Sequence, residues 1–267
     1  MLRIVSEGRR FDTDILSDRD HELRVSLAVT PDEVRAAQRL RYQVFVEEMG
    51  ADLGDPKTAI EQDDFDPYCQ HLLVRDAVQN DRVIGCYRIL TDVEAARAGG
   101  YYSQTEFDLS QILNLPGRFM EVGRACVHTD YRNGAAVSLL WQGLARFMIM
   151  HKFDYLMGCN SISLETGVDY VANLYSSLSK NYLSFPEQRV YPHLPLFNTP
   201  PDVTRSETQV AIPPLLKAYL RMGAVICGEP AWDPQFNVAD LFVLLAVQRI
   251  HPRYVRHFVE RMEGEAA

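Results

Sequence analysis

Between Phe119 and Val127 the chain reads FMEVGRACV. An apolar run of this length, closed by a turn signature, is the pattern of a strand buried on both faces. Yet it carries Glu121 and Arg124. Side chains alternate along a strand, so residues three apart point to opposite faces. A charge on each face of a buried strand is costly unless it is paired or opens into a cleft. The fold must therefore bring other charges to this strand or bend it. Gly123, between the two, is a place for a bulge that would turn both side chains toward one site. The non-functional explanation is a buried ion pair with another charge of the fold.

The strand is followed by TDYRNGAA and an apolar helical stripe of Val137, Leu140, Trp141, Leu144 and Met148. A glycine-containing turn that enters a helix presents free N–H groups at the positive end of the helix dipole, a place for phosphate. Arg132 adds a charge there and Gly134 allows close approach; a plain strand–helix turn is the alternative. Upstream, Asp63, Phe65 and Asp66 lie in an acidic loop over residues 51–67 that ends EQDDFDP. Clustered carboxylates attract a cationic group, although such loops are often only solvated. Arg41 sits one helical turn before Phe45. Arg88 lies inside the strand-like VIGCYRIL, where it needs an anion or water.

The rest of the pattern alternates strands and helices, which predicts a mixed α/β sheet. Residues 1–22 read as a loose arm, and 23–262 as a single domain with a proline- and aromatic-rich insertion at 184–214. A strand is predicted at Leu23–Val29. A helix then opens at Thr30 with Pro31 in its first turn and Glu33 completing a capping box. A hairpin follows, His71–Arg75 and Arg82–Leu90, joined through an NDR turn. Further strands are predicted at Tyr155–Ile162 and 239–248, helices at 168–183 and 251–262, and a helix stop at Gly223. Arg249, Arg253, Arg256 and Arg261 make the C-terminal stretch basic, suited to an acidic partner or anionic lipid.

Net charge is −9 over 267 residues, so no broad basic field exists for nucleic acid. The five cysteines are scattered without a CxxC pair, which fits a reducing compartment and argues against a zinc site or disulfide framework. No metal is expected. The longest apolar run, Leu241–Val247, is too short to span a bilayer. Cys126 and His128 share a strand parity, which allows a Cys–His hydrolase; the competing reading is a buried cysteine acting as a small hydrophobe. GxSxG and GxGxxG are absent.

Taken together, LRYQVFVEEMGA, DDFDPYCQHLLV, IGCYRIL, FMEVGRACVHTDYRNGAAVSLLW and LLKAYLRMGAVICGEPAWDPQFNVADLFVLL resemble the L-ornithine Nα-acyltransferases, hemolysin-like members of the GNAT superfamily. A more distant resemblance, through Arg41, Phe45, Asp63, Asp66, Arg88, Glu121 and Arg124, is to acyl-homoserine lactone synthases. The resemblance implies a GNAT-like fold with a C-terminal extension. It implies acyl transfer from acyl carrier protein to the α-amino group of L-ornithine in the cytoplasm, with peripheral contact at the inner membrane. No permanently bound cofactor is implied; the donor is the phosphopantetheine arm, and the shortened RNGAA loop suits its single phosphate. Glu121 is then the base, with Asp63 and Asp66 beside it. Arg124, Arg132, Gly134 and Val127 meet the donor, and Arg124 alternatively maintains the acidic loop. Arg41, Phe45, Arg88, Glu229 and Asp233 meet the acceptor. From their helix position, and not from the resemblance, Tyr175 or Tyr182 is the acid that protonates the leaving thiolate. A lactone synthase and a non-catalytic acyl-carrier-binding module are the competing functions.

Overall fold

The computed structural model describes residues 15–17, 22–198 and 210–250. In chain order the elements begin with β1 (Ile15–Ser17), β2 (Glu22–Leu27), α1 (Pro31–Arg41), β3 (Gln70–Asp76) and β4 (Arg82–Thr91). Next come α2 (Asp92–Ala98), β5 (Phe107–Asp108), α3 (Ser110–Leu113), β6 (Phe119–Val127), α4 (Ala135–Met150) and β7 (Tyr155–Ser163). The last are α5 (Val168–Tyr182), β8 (Tyr191–Pro192), α6 (Pro214–Met222), β9 (Val225–Ile226), β10 (Ala231–Asp233) and β11 (Val238–Ala246). They fall into two compact units. One is built from the described parts of Met1–Leu90 and Gly123–Met150, the other from those of Thr91–Val122 and His151–Ala267. Strand β6 contributes its first half to the second unit and its second half to the first.

In the first unit β1, β2, β3 and β4 form an antiparallel series. The β3–β4 turn places Asn80 and Asp81 at φ +55° and +56°. These are left-handed backbone positions, which Asn and Asp tolerate, at the end of a five-residue connection closed by the Asp76–Arg82 pair. Helix α1 starts as the sequence predicts: Thr30 accepts from the Glu33 N–H, and the Glu33 carboxylate accepts from the Thr30 N–H. Helix α4 lies so close to the sheet that a Cβ on Gly143 would stand 2.8 Å from Leu72. The segment at 15–17 pairs as a strand with β2, which corrects the expectation of a loose arm there. Three residues of extended chain are too few to show a period.

In the second unit the start of β6 pairs in parallel with β7 over Phe119–Glu121. β7, β11 and β10 continue antiparallel. Val171, Leu174 and Leu178 of α5 and Leu216 and Leu220 of α6 pack on Ala239, Leu241 and Val243. Alternation sends Phe242 and Asp240 of β11 to the other sheet face, where Phe107 meets Phe242 edge-to-face at 5.9 Å between ring centroids. Both faces of β11 are thus covered, which is why its stretch from Leu241 onward reads as a continuous apolar run. Gly223 stops α6 in the left-handed conformation at φ +108°. The segment after α5 is largely irregular, with a short helical turn at Pro186–Gln188. Residues 199–209 and the C-terminal helix expected at 251–262 lie outside the described residues, as do Arg253, Arg256 and Arg261. Among the described residues no helix is long and apolar enough to cross a membrane.

Candidate active site

In the first unit three arginines and three carboxylates alternate around a closed ring. Arg41 grips Asp66 with two nitrogens, at 3.0 and 2.5 Å. Asp66 also accepts from Arg88 Nη1 at 2.8 Å, and that nitrogen reaches Asp63 at 2.5 Å. Asp63 accepts from Arg124 Nη2 at 3.0 Å, Arg124 Nε reaches Glu61 at 3.2 Å, and Glu61 contacts Arg41. Arg41 is fully buried, and Glu61, Asp66 and Arg88 nearly so. Formal charge within the ring is zero, which is how six ionised groups can be taken from water together. Burial alone would raise the two aspartates, but Arg41 and Arg88 hold the Asp66 carboxyl well below its ordinary value. Arg88 and Arg124 do the same for Asp63. His71, against the same cluster, is pushed down to about 4 by burial and by Arg41, with Asp66 opposing.

Arg124 enters this ring from a left-handed backbone, φ +53°. The kink expected on β6 therefore lies on the arginine itself, whereas sequence reasoning placed it at Gly123, the residue with no Cβ. The helix that follows α1 widens into a π-helical segment, Tyr42–Glu48, a form that gathers at functional sites. Phe45 is buried within it. From the same segment Gln43 meets His128 Nε2 at 3.1 Å, and Glu48 accepts from Arg132 at 2.6 Å. Arg132 also donates to the Val127 carbonyl at 3.0 Å and leaves its side chain about half exposed. Gly134 precedes α4 at φ +98°. The Cys–His alternative finds no support in the contacts: the Cys126 thiol faces Cys86 at 3.5 Å and is raised by burial, while His128 meets Gln43 and Arg82.

In the second unit Glu121 is nearly buried. Its two oxygens accept from the backbone N–H groups of Ser103 and Tyr102, each at 2.7 Å. The strand carboxylate thereby caps the short helical turn at Tyr102–Thr105. Glu106, at the end of that turn, and Asp233 and Asp240 of the sheet each bring one carboxylate oxygen within 4.8 Å of the others. Asp233 accepts from the Gln235 and Phe236 N–H groups, and Asp240 from the Ser161 hydroxyl at 2.7 Å. Burial and the two aspartates push Glu106 up to about 9.

The fold thus joins Arg41, Asp63, Asp66, Arg88 and Arg124 in one network, with their charges matched inside it. Burial raises Tyr175, and the half-buried Glu229 is close enough to add to that rise. Tyr175 lies in the apolar cluster between α5 and α6, and Tyr182 is packed against its edge. Sequence reasoning missed Glu61, which completes the ring. It also missed Glu106 and Asp240, which join Asp233. Glu61 had a signal, being part of EQDDFDP. Asp240 was hidden in an apolar strand, and Glu106 in an irregular crossover.

Comparison with known proteins agrees with this fold. Residues 40–142 match the family described as Acetyltransferase (GNAT) domain. The L-ornithine N(alpha)-acyltransferase of Rhodobacter capsulatus is 36% identical over 251 residues, covering 90% of this chain and 96% of its own. That of Rhizobium meliloti is 36% identical over 261 residues, covering 92% and 87%. Among solved structures, FeeM, an N-acyl amino acid synthase from uncultured soil microbes, superposes with a TM-score of 0.53 at 13% identity, over 87% of this chain and 94% of its own. BjaI, a CoA-dependent acyl-homoserine lactone synthase, gives 0.52 at 16% identity, over 88% and 83%. These two likenesses bear on the fold alone.

Proposed function

The chain belongs to the L-ornithine N(alpha)-acyltransferase family and is an N-acyltransferase, and from that premise we propose that it moves a 3-hydroxyacyl group from acyl carrier protein to the α-amino group of L-ornithine. The products are holo carrier protein and lyso-ornithine lipid, the first step of ornithine-lipid synthesis. The near-full-length match to relatives named for L-ornithine supports the acceptor and the N-acyl transfer in this reading. The cytoplasm, with peripheral contact at the inner membrane, is where donor, acceptor and lipid product meet.

The reaction asks for an amine nitrogen with its lone pair free, since an ammonium cannot attack a carbonyl. Glu121 is the base, directly or through one water. Each of its oxygens carries two lone pairs, so holding a backbone N–H does not bar it from accepting a proton. Nitrogen attacks the thioester carbon, and a backbone N–H stabilises the oxyanion. The C–S bond then breaks; the pantetheine thiolate takes a proton from a tyrosine hydroxyl, Tyr182 being less enclosed than Tyr175, and the second proton shed by the attacking nitrogen returns to that tyrosine. Arg132, with a half-exposed guanidinium beside the turn into α4, meets the pantetheine phosphate. Arg41, Arg88 and Arg124, with Asp63, Asp66 and Glu61, hold the acidic loop and the second half of β6 in shape.

The test supplies purified protein with 3-hydroxyacyl carrier protein and a panel of amino acids, and identifies products by mass. An Nα-acylated ornithine is expected. A lactone made only with S-adenosylmethionine, or no acyl transfer, would overturn the proposal. Glu121→Gln should lower turnover by about 10²–10⁴; undiminished turnover removes it as base.

A further inference from the structure

Building on the reading of the acceptor as a diamino acid, we propose that Glu106, Asp233 and Asp240 form the recognition site for the acceptor's side-chain ammonium group. One oxygen from each carboxylate lies within 4.8 Å of the other two. An ammonium has three donors and no acceptor. Three oxygens taking those donors at about 2.8 Å in tetrahedral directions stand about 4.6 Å from one another. The cluster's limit of 4.8 Å has room for that spacing.

A second observation points to a ligand. Both oxygens of Glu106 expose less than 1 Å² and have no hydrogen-bond partner. The Cys159 thiol and the Tyr102 side chain stand near enough to favour its charged form, but against them act burial, Asp240 and Asp233. An unmet carboxylate in the interior is costly unless a cation or a proton answers it. Its neighbours are already aimed: Ser161 fixes Asp240, and the Gln235 and Phe236 N–H groups fix Asp233. Glu106, met only at longer range by the Cys159 thiol and the Tyr102 side chain, is the member of the cluster with most capacity for an incoming donor.

The location suits a short diamine. Glu121 pairs with Met157, Phe242 with Cys159, and Asp240 with Ser161, so Glu121, Cys159 and Asp240 share one sheet face. The Cys159 thiol lies within electrostatic reach of Glu121 as well as of Glu106 and Asp240. A skeleton of a few carbons joins an amine presented to Glu121 with an ammonium held by the cluster. Sequence reasoning sets Asp233 and Glu229 against the acceptor; in the fold the partners of Asp233 are Glu106 and Asp240.

The test compares L-ornithine with L-norvaline, which has the same carbon chain without the terminal amine. Calorimetry is run on the full chain and on Glu106→Gln and Glu106→Asp, with melting curves to show that each variant is folded. Wild type should bind ornithine at least about tenfold more tightly than norvaline, a gap expected of one desolvated charged contact. Glu106→Gln should close the gap by weakening ornithine alone, and Glu106→Asp should restore part of it. Ornithine binding at pH 7 should also release close to one proton, read from buffers of different ionisation enthalpy.

Equal binding of the two amino acids by wild type would overturn the proposal, as would a preference that survives in folded Glu106→Gln, or no proton release. Magnesium binding that is lost in Glu106→Gln while the ornithine preference stays intact would also overturn it, in favour of a metal site. Because the comparison reads binding, it stands even where no acyl transfer is found. Transfer with an unchanged preference sinks this inference alone, and binding without transfer sinks the functional reading alone.

Discussion

Arg41 and Asp66 meet as two parallel forks, the guanidinium of a helix against the carboxylate of a loop, with both side chains almost wholly buried. A bidentate pair fixes orientation as well as charge. Here it ties the end of α1 to a segment that otherwise has little regular structure. Removing one member strands the other in the interior. Arg41→Gln is expected to cost about 3–5 kcal/mol of folding stability, measured by urea unfolding. A loss under about 1 kcal/mol would show that the ring adds little to the fold.

Acid should unfold the protein in two stages. His71 has a folded pKa of about 4 against an ordinary 6.5. Above 6.5 it is neutral in both states. As pH falls from 6.5 to 4 the unfolded chain takes up a proton that the folded chain refuses, and about 3 kcal/mol is lost. Asp63 and Asp66 also have depressed values, against an ordinary 3.8. Their contribution is present above 3.8 and lost as pH falls below it. Stability measured from pH 7 to 3 should show both stages, and His71→Asn should flatten the upper one.

Glu121→Ala should loosen the turn at Tyr102–Thr105 as well as stop turnover, because two backbone N–H groups lose a charged acceptor. A cost of about 2–4 kcal/mol follows. Hydrogen exchange at the Tyr102 and Ser103 amides should rise. Unchanged exchange would detach the carboxylate from that turn.

Gly158→Ala should be among the least tolerated small changes. A Cβ there would stand 2.2 Å from the Val122 carbonyl oxygen, and backbone cannot yield as a side-chain tip does. The expected loss is about 1–3 kcal/mol or more, read from the melting transition. A variant as stable as the parent would mean that β6 and β7 can separate freely at that level.

Arg132→Ala should raise KM for the acylated carrier protein with little change in kcat, and should flatten its dependence on salt, since a charge meeting phosphate is screened. The check is KM at two ionic strengths; an unaltered salt dependence would place the phosphate elsewhere.

The sequence exposed most elements because their determinants are local. Thr30 and Glu33 announce a helix start, Asn80 and Asp81 a hairpin, and Gly223 a helix stop. It also exposed Glu121 and Arg124 as charges in need of an explanation. It could not show that Arg41, Asp63, Asp66, Arg88 and Arg124 answer one another through Glu61, since that closure joins segments up to 83 residues apart (Arg41 to Arg124). Nor could spacing find Glu106 and Asp240, which meet only because two strands and a crossover are stacked by the sheet. Tyr175 looked available from its helix position, but the cluster of α5 and α6 encloses it.

The left-handed backbone of Arg124 puts two demands on one codon. Glycine would relieve a conformational cost of about 1–2 kcal/mol, but it would leave Glu61 and Asp63 facing no guanidinium. Lysine would return a charge but not the fork that reaches both. A library randomised at position 124 should therefore come back with arginine, and substitutions accumulating elsewhere in β6 should leave this one residue behind.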